Sequence, residues 1–259
     1  MRQDILDKLH ATQVEMLEVV DKFCKKHGLK YYLIAGTLLG AVRHHGFIPW
    51  DDDIDIGMPR KDYEFLEKHI QEELGDEYFF QTCITDKAYG RNFAKIRKNN
   101  TIFLEKNDAN VENRHHGIFL DIFILEERRE KDSFIRRFKT KLSKSIDSYI
   151  VCKRGNIKIS WKKKIFAICP MGLLIKMRKS LNKGKGDFYY IDFMGKLKKS
   201  THEMTELEFE GGMYMAPKGY DEVLTSIYGD YMQLPPPEKR VTHNPVRISF
   251  DLNGPDEEL

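Results

Sequence analysis

The stretch Ala35-Gly36-Thr37-Leu38-Leu39-Gly40-Ala41-Val42-Arg43-His44-His45-Gly46-Phe47-Ile48-Pro49-Trp50-Asp51-Asp52-Asp53-Ile54-Asp55 decides how the rest of the chain reads. Asp51, Asp52, Asp53 and Asp55 crowd together directly after a glycine-rich run. Carboxylates this close repel one another, and a folded domain holds only ~5–15 kcal/mol in reserve, so the crowding calls for compensation. A divalent cation is the simplest. In an extended strand residues two apart share a face, so Asp53 and Asp55 point the same way with Asp51, while Asp52 is expected to face outward. The interleaved Phe47, Ile48, Trp50, Ile54 and Ile56 predict a half-buried strand rather than a solvated acid run. A calcium loop is disfavoured, because the distant bidentate Glu is missing.

Working outward, Tyr31 to Ala35 predicts a short buried strand, and Gly36-Thr37 turns the chain into a helix reaching about His45. Strand, glycine turn and helix present free N–H groups to an anion. Apolar positions at helical spacing from Ile5 to Lys26 predict an opening amphipathic helix stopped by Gly28. A further helix follows Pro59 and ends before Gly75. Tyr78–Thr82, Phe93–Arg97 and Thr101–Leu104 predict strands, the last two as a hairpin across Lys98-Asn99-Asn100. Gly117 to Leu125 is the most apolar strand and holds one charge, Asp121. A lone buried carboxylate is costly unless it is paired, satisfied by backbone amides or metal-bound. Joined with Asp53 and Asp55 it makes a set able to hold one or two Mg²⁺ ions. Phe209 to Pro217 predicts a hairpin, Gly219 to Tyr228 a short helix, and the residues after Asn253 a loose tail.

The net charge of +3 hides an asymmetry, since residues 131–200 alone carry 20 Lys and Arg against 4 Asp and Glu, leaving −13 elsewhere. That basic segment, patterned mostly as helix, faces an anion or an anionic surface. Its apolar run Ile165–Ile175 is broken by Pro170 and Gly172 and is far short of the ~20 residues that cross a bilayer. It reads as a kinked buried helix or as an interfacial element. Cys24, Cys83, Cys152 and Cys169 show no zinc spacing and read as free thiols, and the charged N-terminus reads as cytoplasmic. The aromatics of the basic segment form no stacking pattern, which argues against nucleic acid.

The glycine turn, the paired acids Asp53 and Asp55 and the later Asp121 resemble the nucleotidyltransferase superfamily pattern. More narrowly, the run Ala35–Asp55 is similar to the signature of the LicD family of phosphotransferases. Lys95-Ile96-Arg97, Asn100-Thr101, Gly117–Phe123, Pro217–Tyr220, Tyr228–Tyr231 and Leu234–Arg240 resemble its other blocks, whereas the basic middle matches none. Ile124 stands where many relatives carry proline. The resemblance implies an α/β (α+β) fold, a nucleotidyltransferase-type mixed sheet flanked by helices. Residues 1–125 form the catalytic core, 126–200 a basic, mostly helical insertion, and 201–259 a block completing core and substrate site. It implies Mg²⁺- or Mn²⁺-dependent transfer of a phosphorylated alcohol, most often phosphocholine from CDP-choline, onto a hydroxyl of a surface glycan such as lipopolysaccharide or teichoic acid, or of its lipid-linked precursor. CMP leaves.

On that reading Asp53, Asp55 and Asp121 are catalytic, and Asp51 joins them around the metal. Gly36, Thr37, Arg43, Lys95, Arg97, Arg240 and His243 bind phosphate or substrate, and Asp121 also accepts the acceptor proton. His44 and His45, close to the acids, could bond phosphate as neutral imidazoles or cap the turn, and capping is the favoured reading. A choline head group needs aromatic walls, for which Trp50, Tyr89, Phe119, Tyr214 and Tyr231 are available. The rival expectations are NMP transfer from an NTP to a small acceptor, and an inactive module that binds glycan or nucleotide.

Overall fold

The computed structural model describes residues 1–106, 111, 113–240, 242–243, 245–254 and 256–257. The chain runs through α1 (Gln3–His27), β1 (Tyr32–Leu33), α2 (Ala35–His44), β2 (Asp55–Pro59), α3 (Arg60–Leu74), β3 (Tyr78–Gln81), β4 (Ala94–Lys98), β5 (Ile102–Glu105) and β6 (Phe119–Arg128). It continues with α4 (Phe134–Arg154), α5 (Met171–Asn182), β7 (Phe188–Ile191), β8 (Gly195–Lys198), β9 (Met204–Phe209), β10 (Gly212–Pro217), α6 (Tyr220–Tyr228) and β11 (Pro245–Ser249). This is a mixed α/β fold. One sheet runs β1-β2-β6-β4-β3, and the β7–β8 hairpin joins it through β6. Among the described residues only β2 and β6 pair in parallel, and their register sets Asp55 opposite Asp121.

The helices form where periodicity meets a stop. In α1, Ile5, Leu9, Met16, Val20 and Phe23 are buried on one face, and Gly28 ends the helix at φ 63°, a conformation cheap only for glycine. Against that face lie Ile56, Met58, Ile96, Leu120 and Ile122 of the sheet, in one continuous core. A smaller core of Ile146, Tyr149, Ile150, Leu174 and Ile175 joins α4 to α5.

Four expectations need correction. First, β4 and β5 form no hairpin: β4 already pairs β3 on one edge and β6 on the other, so the chain leaves the sheet at Asn100 and β5 pairs β11. Second, helix in the basic segment gives way at Phe188 to the β7–β8 hairpin, which extends the central sheet. Third, the apolar run does not form one buried helix. Trp161–Ile168 is a 3₁₀ segment with no buried residue, and Pro170 caps α5. Fourth, the tail is tied down where it is described: Glu257 N–H donates to Ile248 O at 2.9 Å, and Arg247 Nε bonds Asp256 at 2.8 Å. Residues 255 and 258–259 lie outside the described residues. The cysteines are unbonded. Among the described residues no helix is long and apolar enough to cross a membrane.

Candidate active site

The aspartates sit on a short approach to the sheet. Extended strand begins only at Asp55, so Asp51 to Ile54 belong to the connection from α2. Side chains of α1 hold that connection: His10 Nε2–H donates to Asp51 O at 2.8 Å, and Gln13 Nε2 donates to Asp52 O at 3.0 Å and to Phe119 O at 3.2 Å. The His10 ring stacks on Phe47 at 3.7 Å. Asp121 N–H donates to Ile54 O at 2.9 Å, locking the approach to β6. Sequence reasoning missed His10 and Gln13, which look in sequence like ordinary positions of an amphipathic helix.

Asp53, Asp55 and Asp121 each bring a carboxylate oxygen within 4.8 Å of the other two. Asp51 lies beside them, hydrogen-bonded to Asp53, and burial pushes its carboxyl up to about 8, with the charges of Asp53 and Asp52 adding. Burial likewise raises Asp53 to about 6 against the opposing pull of His243, and holds Asp55 well above the carboxylate range. Among the described residues, the five carboxylates Asp51, Asp52, Asp53, Asp55 and Asp121 meet two nearby cations, Lys95 and His243. A hard divalent ion would supply the positive charge this group lacks, and an all-oxygen set suits Mg²⁺ or Mn²⁺. The residues present fit such an ion.

Asp52 does not face outward as strand parity predicts. It is fully buried, because the connection is not yet a strand, and it accepts from His243 N–H at 3.0 Å and His243 Nδ1–H at 2.7 Å. That pairing pushes the imidazole up to about 9, the Asp52 hydrogen bond acting first. His243 Nε2 then stands 3.6 Å from Asp53. A residue 191 positions further along the chain thereby joins the site.

The expected phosphate ligands divide. Gly36 abuts Asp51: a Cβ there would stand 2.5 Å from Asp51 Oδ2. Ala35 takes φ 48°, a costly conformation that turns β1 sharply into α2 and leaves the first N–H groups of the helix without intrahelical partners. Thr37 Oγ1 accepts from Asp55 N–H at 2.8 Å, so the buried hydroxyl braces the start of β2. Lys95 Nζ lies 2.6 Å from Asp121 Oδ1 and 3.3 Å above the Phe119 ring centroid, and its burial lowers the ammonium pKa. It is the counter-ion of Asp121. Arg97 is a core residue rather than an open phosphate clamp: its Nε donates to Gln81 Oε1 at 2.8 Å and Nη1 to Gly117 O at 2.7 Å. Arg43 Nη1 donates to Tyr231 O at 2.7 Å, fastening α2 to the loop after α6, while Arg240 lies exposed over the Trp50 ring at 4.4 Å. His45 closes α2 at φ 56°.

Two groups were not legible in the sequence. The phenol of Tyr228, on α6, senses Asp51, Asp55 and Asp53 and is pushed up to about 12, desolvation first. Among the aromatics considered for choline, Tyr89, Phe119 and Tyr214 are buried in place. Phe93, Phe123 and Phe193 instead form a cluster away from the acids themselves, with centroids 4.5 Å apart for Phe93–Phe123 and 5.0 Å for Phe123–Phe193. They line a cavity of about 240 Å³ in the gap where β4 has ended and β7 has not begun. Phe93 lies 5.6 Å from Lys95 Nζ, which contacts Asp121.

A mixed sheet with paired acids at the entry to one strand, a third acid in register on its parallel neighbour and a glycine turn before them defines a nucleotidyltransferase-type site. In agreement, the family description LicD/FKTN/FKRP, nucleotidyltransferase domain, matches residues 28–141. The chain is 31% identical over 263 aligned positions to the lipopolysaccharide cholinephosphotransferase LicD of Haemophilus influenzae, covering 91% of this chain and 96% of that protein. It belongs to the LicD family. Human ribitol 5-phosphate transferase FKRP is 34% identical over 70 residues, 27% of this chain and 14% of that protein. Mannosyltransferase regulator 4 of Saccharomyces cerevisiae is 30% identical over 115 residues, 41% of this chain and 9% of that protein.

Proposed function

We propose that this protein transfers a phosphorylated alcohol from a nucleotide-activated donor to a hydroxyl of a glycan or its lipid-linked precursor, and that the group moved is phosphocholine from CDP-choline, with CMP released. The observation that carries the reading is the convergence within 4.8 Å of Asp55 and Asp121, in register on adjacent parallel strands, with Asp53 on the connection leading into β2. These three would hold Mg²⁺ or Mn²⁺, which when bound neutralises the donor diphosphate and stabilises charge on the leaving phosphate. Kinship along nearly the full length of a cholinephosphotransferase supports phosphocholine as the cargo.

The chain's own groups suit the remaining steps. N–H groups at the start of α2 would face donor phosphate oxygens, and Gly36 makes room for the Asp51 carboxylate beside them. Asp121, oriented by Lys95, accepts the proton of the attacking hydroxyl. The new bond joins the acceptor oxygen to the phosphorus bearing the alcohol, and the bond from that phosphorus to CMP breaks, its electron pair leaving on CMP. The rings of Phe93, Phe123 and Phe193 offer the π faces that a quaternary ammonium prefers, and Phe93 lies 5.6 Å from Lys95 Nζ, the counter-ion of Asp121.

The test is CMP release by purified protein given CDP-choline, Mg²⁺ and a glycan acceptor. Asp53→Asn and Asp121→Asn should each abolish it, and Phe193→Ala should raise KM for CDP-choline more than it lowers kcat. Acceptor-dependent turnover of a ribitol-phosphate donor but not CDP-choline would replace the cargo and keep the reaction class. Pyrophosphate release from free NTPs would favour nucleotidyl transfer, and unchanged glycan phosphorylation in cells carrying Asp53→Asn would refute catalysis.

A further inference from the structure

The basic segment carries a surface that the catalytic reading does not use. In the 3₁₀ segment and the start of α5, Trp161 is 77% exposed, Ile165 67%, Ile168 84% and Leu173 48%. Large apolar side chains held together in water mark a contact surface. They are held, not frayed: Phe166 packs on Tyr149 at 5.8 Å, Lys163 bonds Ser148, and Leu174 and Ile175 are buried against Ile146 and Ile150. The segment is thus anchored by one face while the other stays bare. Ile84, on the loop between β3 and β4, is 62% exposed and shares an open groove with Met171, Gly172 and Lys176, widening the patch.

The segment itself carries charge of one sign, and the acids that pair with it, Glu64, Glu67 and Asp147, meet Lys183, Lys179 and Arg178 rather than the lysines beside the exposed apolar side chains. Residues 148–186 contain 11 Lys and Arg and no Asp or Glu. Lys158, Lys162, Lys164 and Lys176 are exposed beside the apolar side chains. We propose that this face docks on the surface of an anionic lipid bilayer, with Trp161, Ile165 and Ile168 entering the headgroup boundary and the lysines meeting lipid phosphates. Tryptophan and snorkelling lysine are the side chains such a boundary favours. The element is interfacial, since Pro170 breaks an apolar run too short to span. A second copy of the chain is a poorer occupant, because self-association would set lysine clusters against each other. Docking would also place the 82–93 loop, which leads into Lys95, at the membrane side of the molecule.

The experiment is flotation of the intact protein with phosphatidylglycerol-containing vesicles and with pure phosphatidylcholine vesicles, at low and high salt, needing no catalytic substrate. Wild type should float with anionic vesicles only and lose binding tenfold or more at high salt. Trp161→Ser/Ile165→Ser/Ile168→Ser should lower binding at least tenfold with an unchanged melting temperature. Lys162→Glu/Lys164→Glu serves as a second, purely surface variant and should do the same. The proposal is overturned if wild type ignores anionic vesicles, binds both vesicle types equally, or is matched by both variants. Light scattering that shows a dimer dispersed by the serine variant, without vesicle binding, would assign the face to self-association instead.

Discussion

Replacing Asp52 with Asn probes the buried pair that fastens His243 to the aspartate loop. Asp52 is inaccessible and receives both the backbone N–H and the ring Nδ1–H of His243, at 3.0 and 2.7 Å. The folded imidazolium titrates at about 9 against an ordinary 6.5. Because the folded value is the higher one, the stabilisation is complete below pH 6.5 and is lost as pH rises through 9. At neutral pH that shift corresponds to at most ~2.5 kcal/mol, and with the ring 37% exposed solvent screening leaves roughly 1–1.5 kcal/mol. Asparagine keeps an acceptor but no charge, so we expect a loss of ~1–2 kcal/mol, or ~3–6 °C in Tm for a chain of this size. Thermal melts in chelator should be run from below pH 6.5 to above pH 9 on wild type, Asp52→Asn, His243→Gln and the double variant. The deficit of Asp52→Asn should be largest at the acid end and shrink toward pH 9, and the double variant should be no worse than the poorer single. A deficit independent of pH, or strict additivity in the double variant, would refute the pairing argument.

Three further outcomes are expected. Burial raises Asp53 to about 6 and Asp51 to about 8, so in the metal-free protein their contribution to stability falls as pH climbs through those values, and protons compete with a bound cation. Mg²⁺ at a hundredfold excess over its Kd should therefore stabilise the fold by ~2.7 kcal/mol at pH 8, read as a rise in Tm, and the same Mg²⁺ by less below pH 6, and Asp55→Asn should lose the effect. Gly40→Ala would set a Cβ 2.4 Å from Gly46 O and 3.3 Å from Ile48 N, so urea titration should show a loss of ~1–3 kcal/mol as the loop leading to Asp51 is displaced. His115 donates through Nε2 to Asn99 Oδ1 and accepts Gly117 N–H at Nδ1, which fits only the neutral ring, and burial with Arg97 nearby lowers it to about 4. Its contribution should be present above pH 6.5 and drain away between 6.5 and 4, a slope that acid titration of His115→Gln should lack.

Legibility followed the range of the interactions. The helices α1, α2, α3 and α6 and the strands around Asp55 and Asp121 were readable because apolar period, glycine stops and turn residues act over a few positions. The β5–β11 pair was not, since whether a strand finds its neighbour next door or some 145 residues away depends on which sheet edges are already filled. Arg97 shows the same limit: its charge suggested phosphate, and only packing against Gln81, Gly117 and Phe119 makes it a core strut.

By itself the sequence determined the chemistry available: a run of acids after a glycine turn, one carboxylate in an apolar strand, and a basic segment with a short apolar run. Those follow from composition and spacing, which need no knowledge of what folds against what. Tertiary structure alone decided which acids meet, because the parallel register of β2 on β6 brings Asp55 beside Asp121 across 66 positions of chain. It also turned Asp52 inward to His243, gave Lys95 to Asp121, and left Trp161, Ile165 and Ile168 in water. The physical reason is one of distance: propensity and parity act along the chain, whereas burial, ion pairing and metal sites are settled by groups that only folding makes neighbours.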